Sequence, residues 1–276
     1  MIVCRSAAEL ERMREAGRLV GQVLSDLASL VAPGVTTAEL DKMAERRIAE
    51  AGAVAAFKGY HGYPATICAS INEEVIHGIP SSRRVLKDGD IISIDVGAAL
   101  HGYYGDSAIT LPVGRVSEQA AKLLQATEEA LYKAIERVRP GGRISDIGHA
   151  VQTHVEKFGF SVVREFVGHG IGQRMHEEPQ VPNYGEPGRG PRLAEGMVLA
   201  IEPMVNAGRP AVKVLADGWT AVTRDGSLSA HFEHTVAVTS DVPWILTARD
   251  GAAHRREAPG NADGLSSRVG SEARTR

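Results

Sequence analysis

With 276 residues, 43% of them hydrophobic and 24% charged, the chain has the composition of a globular protein with ample material for a core. A formal net charge of −3 gives no electrostatic reason to expect nucleic acid or an anionic membrane as partner. No apolar run approaches the ~18 residues of a membrane span, the start Met-Ile-Val-Cys-Arg-Ser lacks a signal peptide's apolar stretch, and Cys4 and Cys68 form no metal or redox motif, so a reducing, cytoplasmic location is expected.

In chain order, residues 6–31 read as a helix, because Leu10, Met13, Ala16, Val20, Leu24 and Leu27 keep a 3.6-residue period. Pro33-Gly34 breaks it. Thr36 and Glu39 make a capping-box start for a second helix, carried by Leu40, Met43, Ala44 and Ile48 and ended by Gly52. Residues 53–80 are punctuated by Gly, Tyr and Pro, with one short apolar strand predicted from Ala65 to Ile71.

The stretch from Asp90 to Asp106 reads as a β-hairpin, with Ile92, Ile94 and Val96 alternating before a small-residue break. A turn centred on Leu100 and His101 sets Asp95 opposite Asp106. Like charges directly opposed across a ladder are destabilising, so a half-buried pair needs a cation between them or must share a proton.

Helices are predicted again over 117–138 and 144–158. In the segment from Val167 to Pro179, the alternating Gly168, Gly170 and Gly172 argue against helix and for backbone that approaches something closely. His169 and His176 therefore do not form one helical face. The segment Ala230–Val238 reads as a single alternating strand, with Glu233 on the face opposite Phe232 and His234. Asp-Gly turns at 217–218 and 225–226 imply a meander back from the strand that carries Glu202.

The chain also repeats itself. Shifted by 107 positions, Pro33-Gly34 falls on Pro140-Gly141, Gly52 on Gly159, Leu86 on Leu193, Ile94 on Ile201 and Asp95 on Glu202. The expected organisation is an α+β fold of two pseudo-symmetric helix-helix-sheet halves, about 6–106 and 113–238, around a central antiparallel sheet. Together they make one catalytic domain over 1–250. The Ala-, Gly-, Ser- and Arg-rich tail over 251–276 is expected to be disordered.

Several motifs fail. Gln180 stands where the second histidine of HExxH belongs after His176, and there is no nucleophile elbow or Walker loop. The Gly168–Gly172 run lacks the spacing of a dinucleotide loop. Cys68, on an apolar strand, reads as wall rather than nucleophile, and His101, His149, His154, His231 and His254 read as bland. What remains is four carboxylates, Asp95, Asp106, Glu202 and Glu233, with one imidazole ligand. An oxygen-rich set with one nitrogen suits Mn, Fe, Co or Zn, and four acids are enough to bridge two ions, an arrangement used by hydrolases.

The ordered set Asp95…Asp106, Gly168-His-Gly-Ile-Gly…His176-Glu-Glu-Pro, Ile201-Glu-Pro203 and Phe232-Glu-His-Thr235 resembles the type I methionine aminopeptidases over about residues 5–245. The resemblance implies the duplicated pita-bread fold and removal of the initiator methionine from nascent proteins when the next residue is small. It implies two divalent ions per chain, with Asp95 on one, His169 and Glu202 on the other, and Asp106 and Glu233 bridging. Glu202 would serve as general base. His176 would hydrogen-bond the scissile carbonyl or oxyanion, and His77 would contact the peptide near the scissile amide. Phe57, Tyr60, Tyr63, Cys68, Met175 and Trp219 would line the methionine pocket, Met175 standing where an aromatic ring is expected. The implied partners are amino-terminal segments of nascent polypeptides, with a ribosome contact admitted, no nucleic acid, no membrane, and a monomer as the working form. The alternatives are a proline-directed aminopeptidase or dipeptidase, whose extra amino-terminal domain is not seen here, and a metal-free binding module, which would be expected to have lost ligands.

Overall fold

The computed structural model describes residues 1–249; the expected tail over 251–276, and His254 with it, lies outside the described residues. Capping boxes at Ser6/Glu9 and Thr36/Glu39 open α1 (Ala7–Leu30) and α2 (Thr37–Glu50). Each box satisfies backbone donors that the first turn would otherwise leave unpaired. The predicted stripes are the buried faces: Leu10, Met13, Ala16, Val20, Leu24 and Leu27 on α1, and Leu40, Ala44 and Ile48 on α2. Fully burying one large apolar side chain contributes roughly 1.5–3 kcal/mol, so packing rather than propensity holds these helices.

Three short strands follow where one was predicted: β1 (Val54–Ala55), β2 (Ile67–Ile71) and β3 (Glu74–Ile76). Next come β4 (Ile91–Leu100) and β5 (Tyr103–Pro112), which form the predicted hairpin. Its turn is His101-Gly102, not Leu100-His101, with φ of 52° and 81°. Both central residues of such a turn must be left-handed, which Gly102 accepts at no steric cost and Leu100 would resist. The register therefore pairs Asp95 with Ala108 and Gly97 with Asp106. Asp95 and Asp106 are diagonal neighbours on one face rather than directly opposed. Ile92, Ile94, Val96 and Ala98 on the other face of β4 enter the main core, so period two turns Asp95 away from the helices.

The second half begins with α3 (Glu118–Ile135) and α4 (Ile144–Glu156), each ending two or three residues before its predicted limit. Then come β6 (Ser161–Val162), β7 (Gly168–Gly170), β8 (Glu177–Val181), β9 (Val198–Ile201), β10 (Met204–Asn206), β11 (Val212–Val214), β12 (Ala221–Thr223), β13 (Ser229–His231), β14 (His234–Ala237) and β15 (Trp244–Ile245). Their sheet orders are β15-β14-β9-β7-β8, β13-β10-β6 and β11-β12-β3, while β4 pairs with β1, β2 and β5.

The 107-residue offset recurs in backbone pairing. Gly34 N–H donates to Leu86 O and Gly141 N–H to Leu193 O. The bridge Thr36–Val85 has its counterpart in Arg143–Arg192. The fold is a duplicated α+β arrangement, with helices of both halves contributing to one core against the sheets.

Two further predicted features differ. The segment 230–238 is two strands in two sheets, broken at Phe232-Glu233, because the facing chain breaks at Glu202-Pro203. Pro203 has no N–H to continue the ladder, and Phe232 N–H donates to its carbonyl. The Asp-Gly turns also divide: Asp217-Gly218 joins paired β11 and β12, but Asp225-Gly226 leads from β12 to β13 in another sheet, so there is no continuous meander. As for the alternating glycines, a Cβ at Gly168 would overlap the Ala200 carbonyl, at Gly170 the Glu178 carbonyl and at Gly172 the Arg5 guanidinium. Among the described residues, no helix is long and apolar enough to cross a membrane.

Candidate active site

The broken strands create the site. The β9–β14 register pairs Ile201 with His234, and β10–β13 pairs Met204 with His231. Continuing either ladder through the break sets Glu202 opposite Glu233. The β4–β5 hairpin is tied to this break by hydrogen bonds from Glu233 N–H to Ala108 O (2.9 Å) and from Ser107 Oγ to Glu233 O (2.6 Å). Asp95 and Asp106 from one half thus meet Glu202 and Glu233 from the other.

His169 on β7 completes the group. Its Nδ1 donates to the Gly170 carbonyl at 2.9 Å, which leaves Nε2 as a bare lone pair. That atom lies 3.8 Å from Asp106 Oδ2 and 3.7 Å from Glu202 Oε1. A fixed tautomer with the free nitrogen aimed at carboxylates is what a metal ligand needs. Ligand atoms of Asp106, His169 and Glu233 all lie within 4.8 Å of one another.

The electrostatics call for a cation. Burial, opposed in part by the hydrogen bond with Asp106, pushes the Asp95 carboxyl up to about 7. Burial first, and neighbouring carboxylates second, raise Asp106, Glu202 and Glu233 well above the ordinary range. Asp95 Oδ1, Asp106 Oδ1 and Glu233 Oε1 are buried without a hydrogen-bond partner. Buried polar atoms of this kind are costly unless paired or coordinated. Four carboxylates and one oriented imidazole therefore fit divalent metal.

One cavity of about 250 Å³ is lined by all thirteen residues singled out in the sequence, and by His61. At its apolar end Tyr63 is buried, its hydroxyl 3.0 Å from the carbonyls of Ile67 and Gly78, and Trp219 meets its ring edge-on at 5.1 Å. Cys68 pairs with Asp95 in the β2–β4 ladder, which brings the apolar wall beside the carboxylates. Burial, and Asp95 after it, pushes the Cys68 thiol well up, so it stays protonated and unreactive. Phe57 and Tyr60 lie toward the mouth, and Met175 is buried.

Two further histidines, His77 and His176, border this cavity. His77 is held at φ 61° between Phe166 and Trp219, and burial, with His176 second, lowers it to about 4. A non-glycine residue in this backbone region costs energy and persists where the surroundings impose it. His176 lies beside His169 with ring centroids 4.2 Å apart and planes tilted by 50°, and burial lowers its pKa.

Sequence reasoning missed His61 and misread His231. His231 is buried, both ring nitrogens lack a hydrogen-bond partner, and Nε2 lies 3.8 Å from Glu202 Oε2. The signal was available: in an alternating strand His231 shares a face with Glu233. His61 carried no signal, because it reaches the cavity through a loop with φ of 49°.

The model of metallopeptidase family M24 matches residues 11–240. Methionine aminopeptidase 1 of Bacillus subtilis is 59% identical over 247 residues, 90% of this chain and 99% of that one. The crystal structure of methionine aminopeptidase from Thermotoga maritima aligns with a TM-score of 0.89 at 46% identity, covering 90% of this chain and 100% of that one. The prolidase of Pyrococcus horikoshii aligns at 0.71 and 22% identity, covering 91% of this chain and 65% of that one, a likeness of fold alone.

Proposed function

The chain belongs to metallopeptidase family M24 and is a metal-dependent aminopeptidase that removes amino-terminal methionine, and we propose that it does so with two divalent ions held by Asp95, Asp106, His169, Glu202 and Glu233. The four carboxylates would offset the charge of the ions, and His169 would supply the one nitrogen ligand through its free Nε2. When bound, the ions lower the pKa of water to near neutrality and polarise the scissile carbonyl.

The chain's own residues do the rest. Glu202 takes the proton of the attacking water and delivers it to the departing amine. His176 donates a hydrogen bond where negative charge develops on the carbonyl oxygen, and His77 contacts the peptide beside the scissile amide. Tyr63, Cys68 and Trp219 receive the methionine side chain: flat apolar walls with a small soft one suit a flexible thioether. The residue after methionine is small. The substrates are amino-terminal segments of newly made chains, and the five ligands with the pocket lie within one domain spanning about residues 1–250.

The observation that carries this reading is that the carboxylate cluster and the apolar pocket share one cavity. Its test is hydrolysis of Met-Ala-Ser by metal-stripped protein titrated with Mn, Fe, Co and Zn, beside Leu-, Ala- and Xaa-Pro-initiated peptides. Restored activity saturating at two equivalents, confined to methionine, is expected. Similar kcat/KM for Leu-, Ala- and Met-initiated peptides would mark a general aminopeptidase and overturn it.

A further inference from the structure

Tyr60 sits on a loop that is closed on itself. Tyr60 N–H donates to Phe57 O, Tyr63 N–H to Tyr60 O and Gly59 N–H to Tyr63 O. Gly59, His61 and Gly62 supply the positive φ angles that so tight a path requires. The loop is anchored by the buried Tyr63 hydroxyl against the Ile67 and Gly78 carbonyls. Tyr60 is thereby held at the mouth of the cavity, its ring stacked against His176 at 5.3 Å and its hydroxyl 2.8 Å from His176 Nδ1.

A neutral imidazole carries one N–H, and the partner of one nitrogen decides which nitrogen has it. If Nδ1 kept the proton and donated to the phenol oxygen, Nε2 would present a lone pair to the substrate's carbonyl oxygen, which repels it. If the phenol donates to Nδ1, Nε2 carries the proton and is a donor. Burial raises the Tyr60 pKa, so the phenol keeps its proton.

We propose that Tyr60 is a positioning residue whose hydroxyl donates to His176 Nδ1 and so fixes His176 as the Nε2–H tautomer that the oxyanion requires. This goes beyond Tyr60 as a pocket wall, and it rests on the donor role given to His176 above. It also separates the two tyrosines of the loop: Tyr63 bonds the backbone, while Tyr60 sets the protonation pattern of a side chain that meets substrate.

The test is Tyr60→Phe, which keeps the ring, the stacking and the wall and removes only the hydroxyl. In zinc-loaded protein labelled with 15N-histidine, His176 should show the Nε2–H tautomer, and Tyr60→Phe should shift it to a mixture. For Met-Ala-Ser, kcat should fall by ~10–10² with KM changed less than about twofold, the pattern of an interaction made in the transition state. In a His176→Ala background the same change should have no further effect, because coupled residues are not additive. An Nδ1–H tautomer in the unmutated protein overturns the proposal without requiring any variant to fold. So does a Tyr60→Phe enzyme with unchanged kcat and tautomer, or one whose loss lies in KM and adds fully to that of His176→Ala. A His176→Ala enzyme with full kcat would instead remove the donor role itself, and this inference with it.

Discussion

Arg5 reaches across 172 positions of sequence to Glu177, its Nη2 2.7 Å from Oε1, with both side chains more than nine-tenths buried. Glu177 also accepts from Arg174 N–H, and the Arg5 backbone N–H donates to Gly196 O. The amino-terminal segment is therefore clamped to the turn that presents Met175 and His176.

Removing one partner of a buried pair strands the other charge, at a cost of ~3–5 kcal/mol. We predict that Arg5→Ala loses this much stability in urea unfolding of the metal-loaded protein, and that kcat falls because His176 is no longer held. An unchanged unfolding midpoint would show that Glu177 is satisfied without Arg5.

The two site histidines should separate by metal content. His169→Ala should lose metal affinity, since it removes the oriented nitrogen. His176→Ala should keep its metal and lose kcat by the ~10²–10³ typical of one oxyanion donor. Asp106→Asn, a poor bridge, should impair binding of both ions. Metal analysis with single-turnover kinetics decides, and equal metal loss in both histidine variants would refute distinct roles.

Stability of the metal-free protein should fall as pH rises from about 6.5 to 8. Asp95, raised to about 7, and Asp106, Glu202 and Glu233, raised further, hold protons in the fold that the unfolded chain has already released. Each of these carboxyls therefore loses stability as pH climbs through its folded pKa. His77 and His169, lowered to about 4, and His231 and His234, lowered to about 3, all chiefly by burial, act with the opposite sign. Their contribution rises with pH only up to the ordinary imidazole value near 6.5, above which they are neutral in both states. The two sets oppose each other below that point, and the carboxyls act alone above it. Bound divalent metal should abolish the fall by holding the carboxylates ionised. Melting temperatures with and without chelator check this, and a Tm that climbs through the window without metal would contradict it.

Selectivity rests on the pocket, because activated water does not distinguish side chains. Each methylene-sized deficit forfeits ~1–3 kcal/mol, so Ala-Ala-Ser should be cleaved at least ~10²-fold less efficiently than Met-Ala-Ser. Met175 is more compliant than a ring, so norleucine should be tolerated. Competition kinetics on the three peptides settle both points.

Most of the architecture was legible because it is written in local chemistry. The capping box of Thr36 with Glu39, the stripe of α1 and the left-handed glycines each have a short-range cause. The repeat at 107 was legible because helix breakers and strand acids recur together. What escaped had two causes. The hairpin register was local, set by which two residues took the turn, while the break at Phe232-Glu233 depended on a proline in the facing strand. Alternation did put His231 on the face of Glu233, but its closeness to Glu202 follows from two sheets meeting, which one segment does not encode.

The proposed ligands come from both halves of the duplication, Asp95 and Asp106 from the first and His169, Glu202 and Glu233 from the second. Neither half holds a complete set, so the first half alone has no route to activity. Two acids emerge early and wait unpaired, and competence arrives only when the stretch through Glu233 has paired with the hairpin. A product cut short before β14 is then inert rather than a stray peptidase.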